Sequence, residues 1–505
     1  MADLSMGSTR AGAPIVRHLF VRIDPRSTEP LQVQVYAGIR RAILDGTVAR
    51  GVRLPSSRAL AADLRISRTT TVLAFDQLAA EGYVTTRAGS GTFVTCELPD
   101  EHLPPSSTAP GPRVRRHPPL SRRGMKLAAT PPTVVRIAGP PRPFRLGTPA
   151  LDRFPFHVWA RLTRRRLQTS TFRQLDYGDA GGLPALREAI AAHVSRARGT
   201  SCVADQVIVL AGAQHGLEMI SRLVLDPGDI ACMEEPGYPG MRGALVAAGA
   251  RIRAIPVDAQ GLNVEIGRRR APTARVIYVT PSHQFPLGVP MSLPRRLALL
   301  AWARQTGAWI IEDDYDSEFR YDARPIPCLH GLDRDSRVIY VGSFSKTLFP
   351  ALRLGFLIVP LDLHDAVIRA RRADDLNTAA LPQAVVCDLM SSGYYDRHLR
   401  RMRSEYRARL DALGKGVARY CRGALRLRAV TTGLHAVADL HGADANAVCD
   451  EAIAHGIEAM PVSAYCARPG RVNALVLGFG SVNPDALYRG TERLAEAIGK
   501  ARRAR

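Results

Sequence analysis

The sequence predicts two joined folds: a small α+β winged helix-turn-helix unit, then a large α/β domain with a doubly wound, mainly parallel sheet and a smaller C-terminal α/β part. Three observations carry this reading. Residues 31–95 pattern as three short helices and a hairpin, residues 96–143 hold 12 prolines, and from residue 144 onward short apolar strands alternate with helices. A chain of 505 residues is too long for one ordinary domain. The divisions are a polar leader (1–28), the winged-helix unit (29–95), a proline-rich basic linker (96–143), the large domain (144–392) and the small subdomain (393–505).

In the first unit, Leu31, Val35, Ile39, Ala42 and Ile43 recur at helical spacing, and Asp45-Gly46 ends that helix. Val52 to Pro55 is extended because the residue before a proline avoids helix; Ser56 or Ser57 caps a second helix to Leu64. After a turn at Arg65-Ile66, Ser67 caps a third helix whose inward face is read as Val72, Phe75, Leu78 and Ala79. Tyr83 to Thr86 and Thr92 to Thr95 form a hairpin across Arg87-Ala88-Gly89-Ser90-Gly91. A helix whose N-terminus is arginine and threonine, followed by a basic hairpin, suits the DNA major groove. The expected contacts are Arg58, Ser67, Arg68, Thr69 and Thr70, with Arg87 and Gly89 on the wing. The competing reading is a small helical interaction module with ordinary surface arginines.

The linker cannot bury a core and reads as an extended or disordered tether. The net charge of +23 points to a polyanionic partner, although an arginine-rich composition produces such a charge without one. Residues 1–95 carry 12 arginines against 7 acids, and the linker 8 basic residues against 3 acids. The charge is spread, so the motif decides. No apolar run approaches the ~18 residues that cross a bilayer, and the first 30 residues lack a signal pattern. The expectation is a cytoplasmic protein with no membrane partner. Eight scattered cysteines indicate neither disulfides nor a metal site.

In the large domain, strands are read at Val207–Leu210, Ile230–Met233, Val276–Val279, Trp309–Ile311, Val338–Val341 and Leu354–Val359. Helices fall between them at Leu183–Val194, Gln214–Leu225, Tyr238–Ala248 and Leu293–Gln305. Ligands of such sheets sit off the carboxyl ends of the strands. There the chain places Lys346, one of only four lysines against 65 arginines. Arginine stays protonated, whereas a partly desolvated lysine can form a Schiff base. Lys126 lies in the linker, Lys415 at a helix end and Lys500 in a polar tail, none with a pocket implied. Asp313 and Tyr315 share one face of a strand end and Asp314 the other. A carboxylate beside a phenol suits a pyridoxal ring, Asp313 keeping the pyridine nitrogen protonated and Tyr315 holding the ring oxygen. A metal-binding acidic loop and a solvated acidic turn are the alternatives. Ser343 and Arg353 offer fixed phosphate donors; Ala211 to Gly216, including Ala213 and Gln214, turns from strand to helix as an anion cradle, and Tyr238 can stack on the ring.

The run L-P-S-S-R-A-L-A-A-D-L-R-I-S-R-T-T, with E-G-Y-V and G-S-G-T-F-V after it, closely resembles the DNA-binding domain of the GntR family. Thr71 departs from it where valine is commoner. T-P-S-H-Q-F-P-L-G from Thr280, E-D-D-Y-D-S-E-F-R-Y from Glu312, S-F-S-K-T-L-F-P-A-L-R-L-G-F from Ser343 and H-L-R-R-M-R from His398 resemble fold-type-I aminotransferases. Together with the N-terminal unit, the chain is similar to the MocR subfamily of GntR regulators. The resemblance implies pyridoxal 5'-phosphate joined to Lys346 as an internal aldimine, with Asp313 on the pyridine nitrogen, Tyr315 on the ring oxygen, and Ser343 and Arg353 on the phosphate. Tyr177, in Y-G-D-A-G-G, matches a tyrosine that reaches a neighbouring subunit's phosphate, implying a homodimer.

His283-Gln284 stands near where aminotransferases place an asparagine before P-T-G, which argues against full transaminase activity. His283 itself reads equally as structural or cofactor-facing, and His398 as part of a basic surface. Aminotransferases hold a substrate carboxylate with an arginine near the last strand; here that strand carries Val476, leaving Arg471, with Arg468 in reserve. The implied function is a regulator that binds an operator in double-stranded DNA and senses an amino acid, an amine or pyridoxal phosphate itself. The alternative is an active aminotransferase with an attached DNA-binding domain.

Overall fold

A computed structural model describes residues 21–87, 89–99, 120–130, 139–321, 327–467 and 472–503. The chain divides into two compact units at Pro118/Pro119.

The first unit holds α1 (Leu31–Leu44), α2 (Ser57–Leu64), α3 (Arg68–Ala80) and the antiparallel hairpin of β1 (Val84–Arg87) and β2 (Gly91–Val94). Ser56 and Ser67 cap α2 and α3 by accepting from the backbone N–H three residues on, which satisfies donors a helix start leaves open. Three expectations are corrected here. The inward stripe of α3 is Thr71, Ala74, Phe75 and Leu78: Phe75 and Leu78 face inward as read, while Thr71 and Ala74 stand where Val72 and Ala79 were expected, because packing against α1 and α2 sets the rotation. Val21, assigned to the polar leader, and Leu98, assigned to the linker, are both buried in this core. An apolar side chain on either flank closes a core too small to be sealed by three helices and a hairpin.

In the second unit, α4 (Arg122–Ala128) lies inside the segment read as a structureless linker; Ser121 caps it, and it packs on α9, introduced below. Next come α5 (Phe156–Gln168), α6 (Phe172–Leu175), α7 (Pro184–Arg198), β3 (Val207–Leu210), α8 (Ala213–Val224), β4 (Ile230–Glu235), α9 (Pro239–Ala248), β5 (Arg251–Asp258), β6 (Gly261–Leu262) and α10 (Val264–Arg270). They continue with β7 (Val276–Val279), α11 (Leu293–Thr306), β8 (Trp309–Asp314), α12 (Leu329–Leu332), β9 (Val338–Ser343), β10 (Gly355–Ile358), α13 (Leu361–Asp374) and α14 (Ala380–Ser391). These strands form one sheet in the order β3-β10-β9-β8-β7-β4-β5-β6. The run from β9 to β5 is parallel, while β10 runs antiparallel to both its neighbours. The strand Arg251–Asp258 escaped the sequence reading because arginines interrupt its apolar pattern near the sheet's edge. The long α15 (Tyr394–Tyr420) leads to α16 (Ala445–Ala454), α17 (Pro484–Arg503) and the antiparallel sheet β11 (Leu425–Leu427), β12 (His435–Leu440), β14 (Ala474–Gly478), β13 (Met460–Pro461), in that spatial order. Helices cover both faces of the large sheet with apolar side chains, leaving the polar residues at strand ends to make the site.

Candidate functional site

Asp313 and Asp314 close β8 and point apart, as strand alternation requires. Asp314 accepts from the Tyr340 hydroxyl at 2.6 Å and pairs with Arg198 at 2.9 Å. Asp313 accepts from the Tyr278 hydroxyl at 2.7 Å through one oxygen, while its other oxygen is buried without a partner among the described residues. Burial pushes the Asp313 carboxyl up to about 7; the Tyr278 bond and the Lys346 charge oppose that, and Asp314 and Asp316 reinforce it. A buried carboxylate with an open oxygen calls for a cation. The protonated pyridine nitrogen of pyridoxal phosphate fits that demand.

Lys346 follows β9, half-buried, and its Nζ donates to the Gly147 carbonyl at 2.7 Å. His398, expected on a basic surface, is buried instead: its Nε2 bonds the Thr347 carbonyl at 2.9 Å, and burial pushes its ring down to about 4. It fixes the turn that carries the lysine. The anion cradle forms at the start of α8, where Gly212 has φ +95° and no side chain caps the first N–H groups. A Cβ on Gly212 would stand 3.2 Å from the Arg353 guanidinium, which donates to the Ala211 carbonyl at 3.0 Å. Ala213 N and the Gly342 carbonyl both lie against Gly355, so the α8 start, Arg353 and the Ser343 end of β9 converge. This cradle fits a phosphate. The Ser343 hydroxyl accepts from Ser345 N at 3.1 Å.

Gln214 donates from its side chain to the Gly240 carbonyl at 2.9 Å. Tyr238 precedes the first residue of α9 and meets the Phe285 ring edge-on at 5.8 Å. Tyr315 donates to the His283 carbonyl at 2.9 Å and lies 3.0 Å from His283 Nδ1. The residue directly before Pro286 is Phe285, whose ring also faces Tyr315 and Tyr465. Tyr177 is 80 % exposed and is not brought to this pocket by its own chain. Arg468 and Arg471 lie outside the described residues. Val476 is buried in β14 among Val437, Val462 and Ala474, so the strand offers no cation at that point.

The sequence reading missed Tyr278, Glu234, Asp316 and His435. Tyr278 sits in an apolar strand and meets Asp313 only through the β7–β8 register. Glu234 accepts from Thr280 N at 3.2 Å, from the Thr280 hydroxyl at 2.6 Å and from Gln284 at 3.2 Å; burial pushes it up to about 7. Neither carries a local signal.

On the first unit, Arg58, Arg68 and Thr69 are exposed, as are Arg87 and Gly89 at the hairpin, with Gly89 at φ +74°. Ser67 is committed to its cap, accepting from Thr70 N at 3.1 Å, and its hydroxyl meets that of Thr70 at 2.8 Å. Arg87 lies over the Phe93 ring at 5.1 Å. Thr71 is fully buried, with no partner for its hydroxyl among the described residues, so it belongs to the core and not to the reading edge.

Residues 31–94 match the family described as bacterial regulatory proteins, gntR family, and residues 143–475 match aminotransferase class I and II. The chain is 38% identical over 482 residues to the probable rhizopine catabolism regulatory protein MocR of Rhizobium meliloti, covering 94% of this chain and 95% of that one. It is 31% identical over 481 residues to the HTH-type pyridoxine biosynthesis transcriptional regulator PdxR of Corynebacterium glutamicum, covering 95% and 98%. The Pyrococcus horikoshii kynurenine aminotransferase, solved with PMP, is similar at a TM-score of 0.65 and 28% identity, covering 74% of this chain and 93% of that one.

Proposed function

Because this chain belongs to the MocR-type regulators of the gntR family, we propose that its pyridoxal phosphate site works as the sensor of a DNA-binding transcription regulator. The effector is an amino acid, an amine or the cofactor itself. The carrying observation is the convergence of Lys346, the half-partnered Asp313 and the Gly212–Arg353 cradle in a chain that also carries an N-terminal reading helix. In this reading Lys346 holds the cofactor covalently, Asp313 keeps its ring nitrogen protonated, Tyr315 faces its ring oxygen, and Ala213, Ser343 and Arg353 bind its phosphate. When bound, the cofactor supplies an electrophilic carbon for amines. The protein supplies position: Tyr278 and burial orient Asp313, Gly147 holds the amine of Lys346, and His398 braces the turn behind it. An effector amine would shift the regulator only as far as it binds one conformation better than the other.

The working form is a homodimer acting on chromosomal DNA in the cytoplasm. Phe156, Phe172, Leu175 and Tyr177 leave a strongly exposed apolar strip on one stretch of chain, and a second copy would cover it. Arg58, Arg68 and Thr69 read base edges and phosphates, with Arg87 and Gly89 on the wing. The test takes the full chain with pyridoxal phosphate. A visible absorption band that Lys346→Ala abolishes, together with operator affinity that changes on adding an amine or amino acid, is the expected result. DNA affinity that stays constant across every cofactor and amine condition refutes it.

A further inference from the structure

The Tyr315 phenol has both of its described hydrogen bonds on one residue, His283, and His283 is itself held by Asp316. Nδ1 of His283 lies 3.1 and 3.0 Å from the two Asp316 oxygens. A carboxylate only accepts, so Nδ1 carries a proton. That N–H is also 3.0 Å from the Tyr315 oxygen, while the phenol's own proton is directed to the His283 carbonyl at 2.9 Å. His283 and Asp316 are both 2 % exposed, and Asp316 accepts in addition from Leu434 N at 3.3 Å, which ties it to the residue just before β12. Phe285, beside them, brings a ring with no donor to the same phenol.

We propose that His283, oriented by Asp316, is the positioning residue for Tyr315, setting how strongly the phenol donates to the cofactor's ring oxygen. The N–H arriving at the phenol oxygen polarises its O–H, and the His283 carbonyl presents the alternative acceptor from which a ring oxygen must take that proton. Burial and the surrounding carboxylates hold the phenol well above its ordinary range, so it stays a donor throughout. The charged and titratable groups facing this trio are Asp313, Asp314, Glu234, His435 and Lys346. His435 faces the His283 ring at 4.5 Å and binds the Pro286 carbonyl at 3.0 Å; burial pushes it down to about 3, so it stays neutral.

The proposal rests on Tyr315 facing the ring oxygen, and one experiment separates the two claims. The full chain loaded with pyridoxal phosphate is titrated with pH while its visible absorption is followed. A donor on the ring oxygen competes with the proton on the Lys346 nitrogen, so losing that donor holds the proton to higher pH. Tyr315→Phe is expected to raise the midpoint by about one pH unit, a tenfold change. His283→Asn should raise it by a similar amount, and Asp316→Asn, which preserves shape, should raise it by less. His283→Asn added to Tyr315→Phe should move it no further, since the two act through one contact. An unmoved midpoint in Tyr315→Phe overturns the placement of Tyr315. A shift in Tyr315→Phe with none in His283→Asn or Asp316→Asn, or one that persists additively in the double variant, overturns the role of His283 alone.

Discussion

In the winged-helix unit, Arg68 and Thr69 follow their cap residue directly in sequence and stand in solvent. In the cofactor pocket, Lys346 meets a carbonyl 199 residues away and Asp313 a hydroxyl 35 residues away, and Asp313 is buried. The first arrangement is a local helix start whose chemistry is presented outward and whose framework is a small core. The second exists only when a whole sheet is assembled, and its groups are perturbed by that burial. Damage to the two should therefore differ in kind: an affinity change on the surface, a change of charge state in the pocket.

The largest effect to look for is at Asp313. Asp313→Asn removes a charge-assisted bond worth roughly 2 to 3 kcal/mol, so cofactor retention, measured by equilibrium dialysis, should fall roughly 30- to 150-fold with the fold of the first unit intact. The same residue sets a pH dependence. Its carboxyl is raised from 3.8 to about 7 in the cofactor-free fold. Stability from that proton is fully present below about pH 4 and lost as pH rises through about 7, with Glu234 and Glu312 acting in the same direction. The melting temperature of the cofactor-free protein should fall across that window, and less so in Asp313→Asn. A flat profile would mean that burial does not govern the pocket.

A smaller change is expected from the surface. Arg68→Ala should weaken operator binding by about 1 to 2 kcal/mol, roughly 5- to 30-fold, with the cofactor's absorption unchanged; a change in absorption would break the separation drawn above. The smallest is at Thr71, whose hydroxyl is buried without a described partner. Thr71→Val keeps the shape and should stabilise the first unit by about 1 kcal/mol, read by calorimetry, without changing operator affinity. A loss of affinity would place Thr71 at the reading edge.

What the sequence alone determined was local chemistry and periodicity. Helix starts at Ser56 and Ser67, the strand alternation of Asp313 and Asp314, and the scarcity that singles out Lys346 are all readable within a few residues. The burial of Thr71 and Ala74 in place of Val72 and Ala79 on α3, the helix α4 inside a proline-rich tract and the antiparallel β10 were decided by what those segments pack against. The partners that tune the site were decided the same way. Tyr278 reaches Asp313 through strand register, His398 reaches from the helix α15 to brace the lysine turn, and His283, held by Asp316, meets Tyr315 from 32 residues away. A residue type can announce that it is able to titrate or donate. Desolvation and orientation, which settle its charge and its partner, come from groups distant in sequence and exist only in the folded chain.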